Sequence, residues 1–212
     1  MTELRVVAVL FDMDGTLVDS TEMVEQIWSE FAAANAADPL HVTVFAHGRP
    51  SRDTVAKFAA DPARIDEWNS WIHTAEAERF TEVTPIPGAL ATVRALPAQR
   101  WAVVTSAIHT PAQERLAQNG FPVPRVLIGA DDVLNGKPNP EGYLAAASAL
   151  GVDPTRCVVF EDTPAGIQAG VAAGCAVVAV GTTEEPGTAA RIADFTEVSV
   201  SLDGDEIVLT CP

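Results

Sequence analysis

Apolar positions in this chain come in short blocks separated by longer mixed stretches. Five blocks are continuous and rich in β-branched residues: Arg5–Phe11 (RVVAVLF), Arg100–Thr105 (RWAVVT), Arg125–Gly129 (RVLIG), Cys157–Phe160 (CVVF) and Ala176–Gly181 (AVVAVG). Unbroken apolar runs of this length predict strands buried on both faces. Between them lie helix-starting signals. Pro87-Gly88 opens an Ala-rich segment to Leu96, and Thr110-Pro111, Asn139-Pro140 and Thr163-Pro164 each pair an N-cap residue with a proline suited to the first turn. Strands alternating with helices predict an α/β fold built on a Rossmann-like parallel sheet. Such sheets bind ligands beyond the carboxyl ends of their strands, where helix N-termini offer N–H donors.

The alternation breaks once. Residues 18–87 hold more chain than one crossover needs, and their mixed apolar and charged periodicity predicts helices over Glu22–Ala37, Ser51–Ala60 and Pro62–Phe80. Trp28, Phe31, Trp68 and Trp71 are the expected packing anchors. The expected layout is a core of residues 1–17 and 88–212 with an inserted α-helical cap of residues 18–87. A hairpin is expected within Phe195–Thr210, turning at Asp203-Gly204.

Composition narrows the function. A formal charge of -16 over 212 residues argues against a nucleic-acid binder, which needs clustered Lys and Arg. An acidic surface also repels anions, so any phosphate site must be made locally positive by a metal, a lysine or backbone N–H groups. The lysines are Lys57 and Lys137. No run approaches the ~18 apolar residues of a membrane span, and Cys157, Cys175 and Cys211 form no CxxC pair. The expectation is a soluble cytoplasmic protein, a monomer or weak dimer with no nucleic-acid or membrane partner.

The main chemical clue is Asp12-Met-Asp-Gly-Thr16, which sets two carboxylates directly after a buried strand, with a glycine that allows a tight turn beside a ligand. It is not a calcium loop: Gly15 falls at the fourth position instead of the sixth, and the twelfth position is Met23. Other candidates end the later strands. Thr105-Ser106 closes the second, Lys137 lies in Gly-Lys-Pro-Asn-Pro, and Glu161-Asp162 closes the fourth. Two acids, a hydroxyl, one lysine and a late acidic pair are the parts that hold a phosphoryl group beside Mg²⁺.

With DMDGT, the Thr105-Ser106 strand end, GKPNPEGY and VVFEDTPAGIQAG in this order, the chain resembles the haloacid-dehalogenase superfamily of phosphotransferases from Leu4 to about Gly181. The phrases WAVVTS, GKPNPE, AHGR and AKF look like its glycerol-3-phosphatase and 2-deoxyglucose-6-phosphatase branch. The resemblance implies a phosphatase acting on a small sugar or polyol phosphate, with Asp12 as nucleophile and Asp14 as acid and base. It implies Mg²⁺ held by Asp12, the Asp14 backbone carbonyl and Asp162, with Glu161 behind them. Lys137 and the Thr105 and Ser106 hydroxyls are implied phosphate contacts, strand-end capping being the alternative for the hydroxyls. Arg49 and Arg52, in the shaped loop Gly48-Arg-Pro-Ser-Arg52, are expected to meet the alcohol half of the substrate, with solvated arginines as the alternative. His109 faces either substrate or solvent. Two other functions stay open. Related sugar phosphomutases carry a histidine where this chain has Val24, and a non-catalytic phosphate-binding module would not need Asp14.

Overall fold

The computed structural model describes residues 1–79 and 83–212. The chain opens with β1 (Thr2–Val6) and β2 (Ala8–Phe11), then a two-residue strand β3 (Val18–Asp19). The helices α1 (Thr21–Ala34), α2 (Pro39–Ala46), α3 (Ser51–Phe58) and α4 (Ile65–Arg79) follow, and β4 (Thr84–Pro85) brings the chain back. The rest alternates α5 (Ala89–Ala95), β5 (Trp101–Val104), α6 (His109–Gln118), β6 (Leu127–Ile128), α7 (Glu141–Leu150), β7 (Cys157–Glu161), α8 (Pro164–Ala172), β8 (Ala176–Val180) and β9 (Ala190–Ile192). The hairpin β10 (Ser199–Asp203) and β11 (Glu206–Cys211) closes the chain.

The expected parallel sheet is present, six-stranded in the order β6-β5-β2-β7-β8-β9. Its residues alternate between two apolar layers, as a period of two requires. Val9, Phe11, Val103, Val158 and Phe160 face one layer, whereas Ala8, Leu10, Ala102, Val104 and Val159 face the other. In the first layer Phe11 stacks on Phe160 at 5.4 Å and Phe160 meets Phe195 at 5.0 Å. The register sets Phe11 opposite Val103 on one side and Phe160 on the other, so Asp12, Thr105 and Glu161 emerge together at one sheet end.

Several elements differ from the sequence expectation. The run Arg5–Phe11 is not one strand: the chain switches sheets at Val7, whose N–H donates to the Arg156 carbonyl at 2.8 Å. β1 joins β11 and β10 in a separate antiparallel sheet, leaving β2 alone in the parallel one. Only Leu127–Ile128 of the Arg125–Gly129 run is paired, and β9 extends the sheet by a strand with no apolar run to announce it. The hairpin turns at Gly204-Asp205, with Gly204 at φ +57°. The helix expected to start at Thr110-Pro111 begins at His109, whose N–H donates to Asp131 at 2.8 Å. α7 starts one residue later than expected, with Pro140 at its N-cap position and the Asn139 side chain accepting from the Glu141 N–H at 3.0 Å, whereas Thr163-Pro164 starts α8 as read.

In the insertion, α2 was not anticipated, since PLHVTVFA carries no polar stripe; it starts because Asp38 accepts from the His41 N–H ahead of Pro39 at the first turn. The segment Pro62–Phe80 is a single turn at Pro62–Arg64 followed by α4, and Phe80 lies outside the described residues. The aromatic anchors form a chain of edge-to-face contacts: Trp28 with Phe31 at 5.6 Å, Phe31 with Trp68 at 5.4 Å, Trp68 with Trp71 at 5.7 Å. β3 pairs antiparallel with β4, so the two connections between core and insertion are hydrogen-bonded side by side.

Candidate active site

Asp12 leaves β2 with its N–H on the Phe160 carbonyl at 3.0 Å, and the chain then turns tightly, Leu17 N and Val18 N both donating to the Met13 carbonyl at 2.8 and 3.0 Å. Gly15 makes the turn possible. It sits at φ +86°, and a Cβ there would lie 2.1 Å from Asp162 Oδ2. The turn therefore presses against the other acidic strand end.

Lys137 links the acids. Its ammonium donates to Asp12 Oδ1, to Glu161 Oε1 at 2.7 Å and to the Val104 carbonyl at 3.2 Å. All three side chains are buried, with 5% of Lys137, 8% of Asp12 and 0% of Glu161 exposed. Burial works against the ammonium, but Asp12 and Glu161 outweigh it and hold the lysine well above its usual range. Burial pushes the Asp12 carboxyl up to about 7 despite the pull of Lys137. Asp162 is likewise raised well above the carboxylate range, by burial and then by Glu161 and Asp12.

These carboxylates fit a cation. Oxygens of Asp12, Glu161 and Asp162 all lie within 4.8 Å of one another, and an oxygen-only donor set suits a hard divalent ion. Three crowded carboxylates against one ammonium leave negative charge for such an ion to balance. The three are not equivalent. Glu161 Oε1 accepts from Lys137 and from Tyr143 at 3.2 Å, and Oε2 accepts from the Thr163 N–H and hydroxyl at 2.8 and 3.0 Å. Glu161 thus has both oxygens engaged and acts as a bracket for Lys137, whereas among the described residues the Asp162 carboxylate accepts only from Thr16, at 3.0 Å.

The Asp14 carboxylate stands apart from this cluster. Its Oδ1 accepts from the Ser20 hydroxyl at 2.7 Å and from Arg115 Nη1 at 2.5 Å. Ser20 occupies the N-cap position of α1 yet makes no capping bond, its hydroxyl being turned to Asp14 instead. Arg115 is 1% exposed and comes from α6. Neither partner was singled out from the sequence, because a serine before a helix reads as a cap and an arginine within HTPAQERLAQ reads as part of a solvated face.

Above the acids lies a chamber of about 110 Å³, bounded by Asp12, Asp14, Thr105 and Asp162 from the core and by Arg49 and Glu76 from the insertion. The Thr105 hydroxyl faces it while accepting from the Ala107 N–H at 3.1 Å. Ser106 also lines it, but its hydroxyl donates to the Gly48 carbonyl at 3.0 Å and ties core to insertion. Arg49 lies over the Phe45 ring, 4.7 Å from its centroid. Arg52 lies outside the chamber lining, exposed and paired with Asp66 at 2.8 Å, because the first turn of α3 carries it outward. His109 also lies outside the lining. His73 and Glu76 of α4 line it unannounced by any motif, and the Ser51 hydroxyl bridges His73 Nε2 at 2.9 Å and Asn69 at 2.7 Å.

The buried Asp12 at the end of β2, held by Lys137, thus lies at the foot of a chamber that the helices of the insertion also line. The chain belongs to the haloacid dehalogenase-like hydrolases, whose family model matches residues 6–174. It is 40% identical to hexitol phosphatase A of Escherichia coli over 84% of this chain and 84% of that protein. It is 39% identical to glycerol-1-phosphate phosphohydrolase 2 of Saccharomyces cerevisiae over 85% of this chain and 76% of that protein. The fold matches the crystal structure of a β-phosphoglucomutase from Clostridium difficile with a TM-score of 0.79 at 20% identity, covering 90% of this chain and 92% of that one. Among the described residues no helix is long and apolar enough to cross a membrane.

Proposed function

We propose that this hydrolase removes the phosphoryl group from a small sugar or polyol phosphate, with Asp12 as nucleophile and Mg²⁺ as its metal. The observation that carries the reading is the Asp12 carboxylate, buried against Lys137 and opening into a small chamber that also holds Asp14. The substrate class follows from the names of the two relatives, a hexitol phosphatase and a glycerol-1-phosphate phosphohydrolase.

Each residue then has a task. An Asp12 oxygen attacks phosphorus as the ester P–O bond breaks, and the departing alkoxide takes a proton from the Asp14 carboxyl. In the second half, Asp14 accepts a proton from water as its oxygen attacks the acyl phosphate. The bond to Asp12 then breaks, freeing the carboxylate and inorganic phosphate. Lys137 and the Thr105 hydroxyl face the charge that spreads over the phosphoryl oxygens. Asp12, Asp162 and the Asp14 carbonyl would hold Mg²⁺, which when bound neutralises charge on the phosphoryl oxygens and the acids. Glu161 keeps Lys137 aimed.

A sugar phosphomutase of the same fold is the second reading. Val24, which lines the chamber where related mutases carry a histidine, favours the hydrolase. The test is a panel of glycerol, hexitol, hexose and nucleotide monophosphates assayed for phosphate release with Mg²⁺ and with EDTA. Release from the polyol and sugar esters, abolished by EDTA, is expected. Full activity in EDTA would overturn the metal, and conversion of hexose 1-phosphate to 6-phosphate without net release would favour the mutase.

A further inference from the structure

One wall of the chamber has no task in the reaction above. Glu76 lines it from α4, and among the described residues its carboxylate makes no hydrogen bond or ion pair. Burial pushes that carboxyl up to about 7, Arg115 pulls it down, and Asp14 pushes it up. Glu76 and Asp14 line the same chamber, Glu76 from α4 and Asp14 from the turn after β2. Arg115 has its own surplus: Nη1 holds Asp14, while Nε and Nη2 are buried with no partner among the described residues. The other titratable neighbour on α4 is His73, half-buried and engaged by Ser51. A half-buried acceptor on the chamber wall with no donor among the described residues, next to a buried arginine that also has unpaired N–H groups, calls for a reason, and in a binding chamber that reason is a ligand group.

We propose that Glu76 is the specificity-determining residue of this enzyme, accepting a hydrogen bond from the hydroxyl on the carbon next to the phosphorylated one. The inference rests on the reading of the chain as a polyol phosphatase with Asp14 at the ester oxygen. Given that placement, the vicinal hydroxyl is the first polar group of a polyol beyond the ester oxygen, in the chamber that Asp14 and Glu76 both line. A hydroxyl suits the site because it donates to the carboxylate without adding charge. A carboxylate at the same carbon meets Glu76 as a like charge in a poorly screened space and is rejected.

The experiment compares kcat/KM within each variant for three esters in Mg²⁺: glycerol 3-phosphate, 3-hydroxypropyl phosphate, which lacks only the middle hydroxyl, and phosphoglycolate, which carries a carboxylate there. Wild type should prefer glycerol 3-phosphate over 3-hydroxypropyl phosphate by about 10- to 100-fold, the range of a hydrogen bond to a charged group. In Glu76→Ala that preference should fall below about threefold. In Glu76→Gln the ratio of phosphoglycolate to 3-hydroxypropyl phosphate should rise at least about tenfold. These ratios are internal to each protein, so a lower yield of folded enzyme does not affect them. Persistence of the wild-type preference in Glu76→Ala overturns the inference while leaving the polyol phosphatase reading intact. An enzyme that hydrolyses phenyl phosphate but none of the polyol esters overturns both.

Discussion

Lys137 reaches Asp12 and Glu161 with one ammonium, so these residues respond to substitution as a unit. Lys137→Met would leave two buried carboxylates facing each other, and unfolding in urea should show a loss of about 3–5 kcal/mol together with loss of turnover. Asp12→Asn is nearly isosteric and removes one of the crowded charges. Phenyl phosphate hydrolysis should become undetectable while the thermal midpoint holds or rises; residual turnover near the wild-type rate would remove Asp12 from the reaction. Asp14→Asn should cost about 10²–10⁴ in kcat/KM for glycerol phosphate and much less for p-nitrophenyl phosphate, whose leaving group scarcely needs a proton. Equal losses on the two esters would count against proton donation. Asp12, Lys137, Glu161 and Asp162 were legible because each ends or follows a buried strand, a place where a charge is out of keeping with its surroundings. Arg115 and Glu76 were not. Both lie within helices whose sequences carry many solvent-facing polar residues, and no spacing in the chain marks which of them turn inward. Arg52 shows the converse: a promising loop composition cannot tell which of two neighbouring arginines the first helical turn will carry away.

Among elements, the loop before α3 bears the closest contact between insertion and core. Gly48 sits at φ +71°, and a Cβ there would lie 2.3 Å from Thr163 Oγ1, the hydroxyl that caps α8 and donates to Glu161. Gly48→Ala thus combines backbone strain of about 1–3 kcal/mol with displacement of that cap. Calorimetry should show a thermal midpoint lowered by several degrees, and kcat/KM should fall for every ester, as expected when the lid no longer seats; unchanged values on both counts would mean the contact is slack. The parallel strands were readable from unbroken apolar runs, which a helix with one wet face does not produce. The two-sheet split of Arg5–Phe11 was not, since Val6 and Val7 look alike and only the pairing of β1 with a strand two hundred residues later separates them. α2 was hidden for a related reason: an apolar helix without a polar stripe has lost the periodicity by which helices are recognised.

At the scale of the molecule, charge crowding ties stability to pH and metal. Asp12 rises from 3.8 to about 7, Glu76 from 4.5 to about 7, and Asp162 rises as well. Each binds its proton more tightly folded than unfolded, so its contribution is complete below the unfolded value and is lost as pH climbs through the folded one. The metal-free protein should therefore lose thermal stability between about pH 5.5 and 8, a window above the titration of acids held low by surface partners, such as Glu141 and Asp153. In the proposed site Mg²⁺ would replace the protons of Asp12 and Asp162, so its stabilising increment should be larger at pH 8 than at pH 5.5. A midpoint that is flat or rising across this window in EDTA would contradict the crowding.

The pairing of β3 with β4 has a consequence for how such a protein can change over time. The polypeptide leaves the core at Val18–Asp19 and returns at Thr84–Pro85, one strand spacing away, so the core closes on itself whatever is spliced between those points. A lid of another length or shape has one junction to match and no path to thread. If the core carries the chemistry and the insertion meets the substrate, as proposed, the two are free to diversify at different rates, since the insertion can be exchanged while the strand ends beneath it stay as they are.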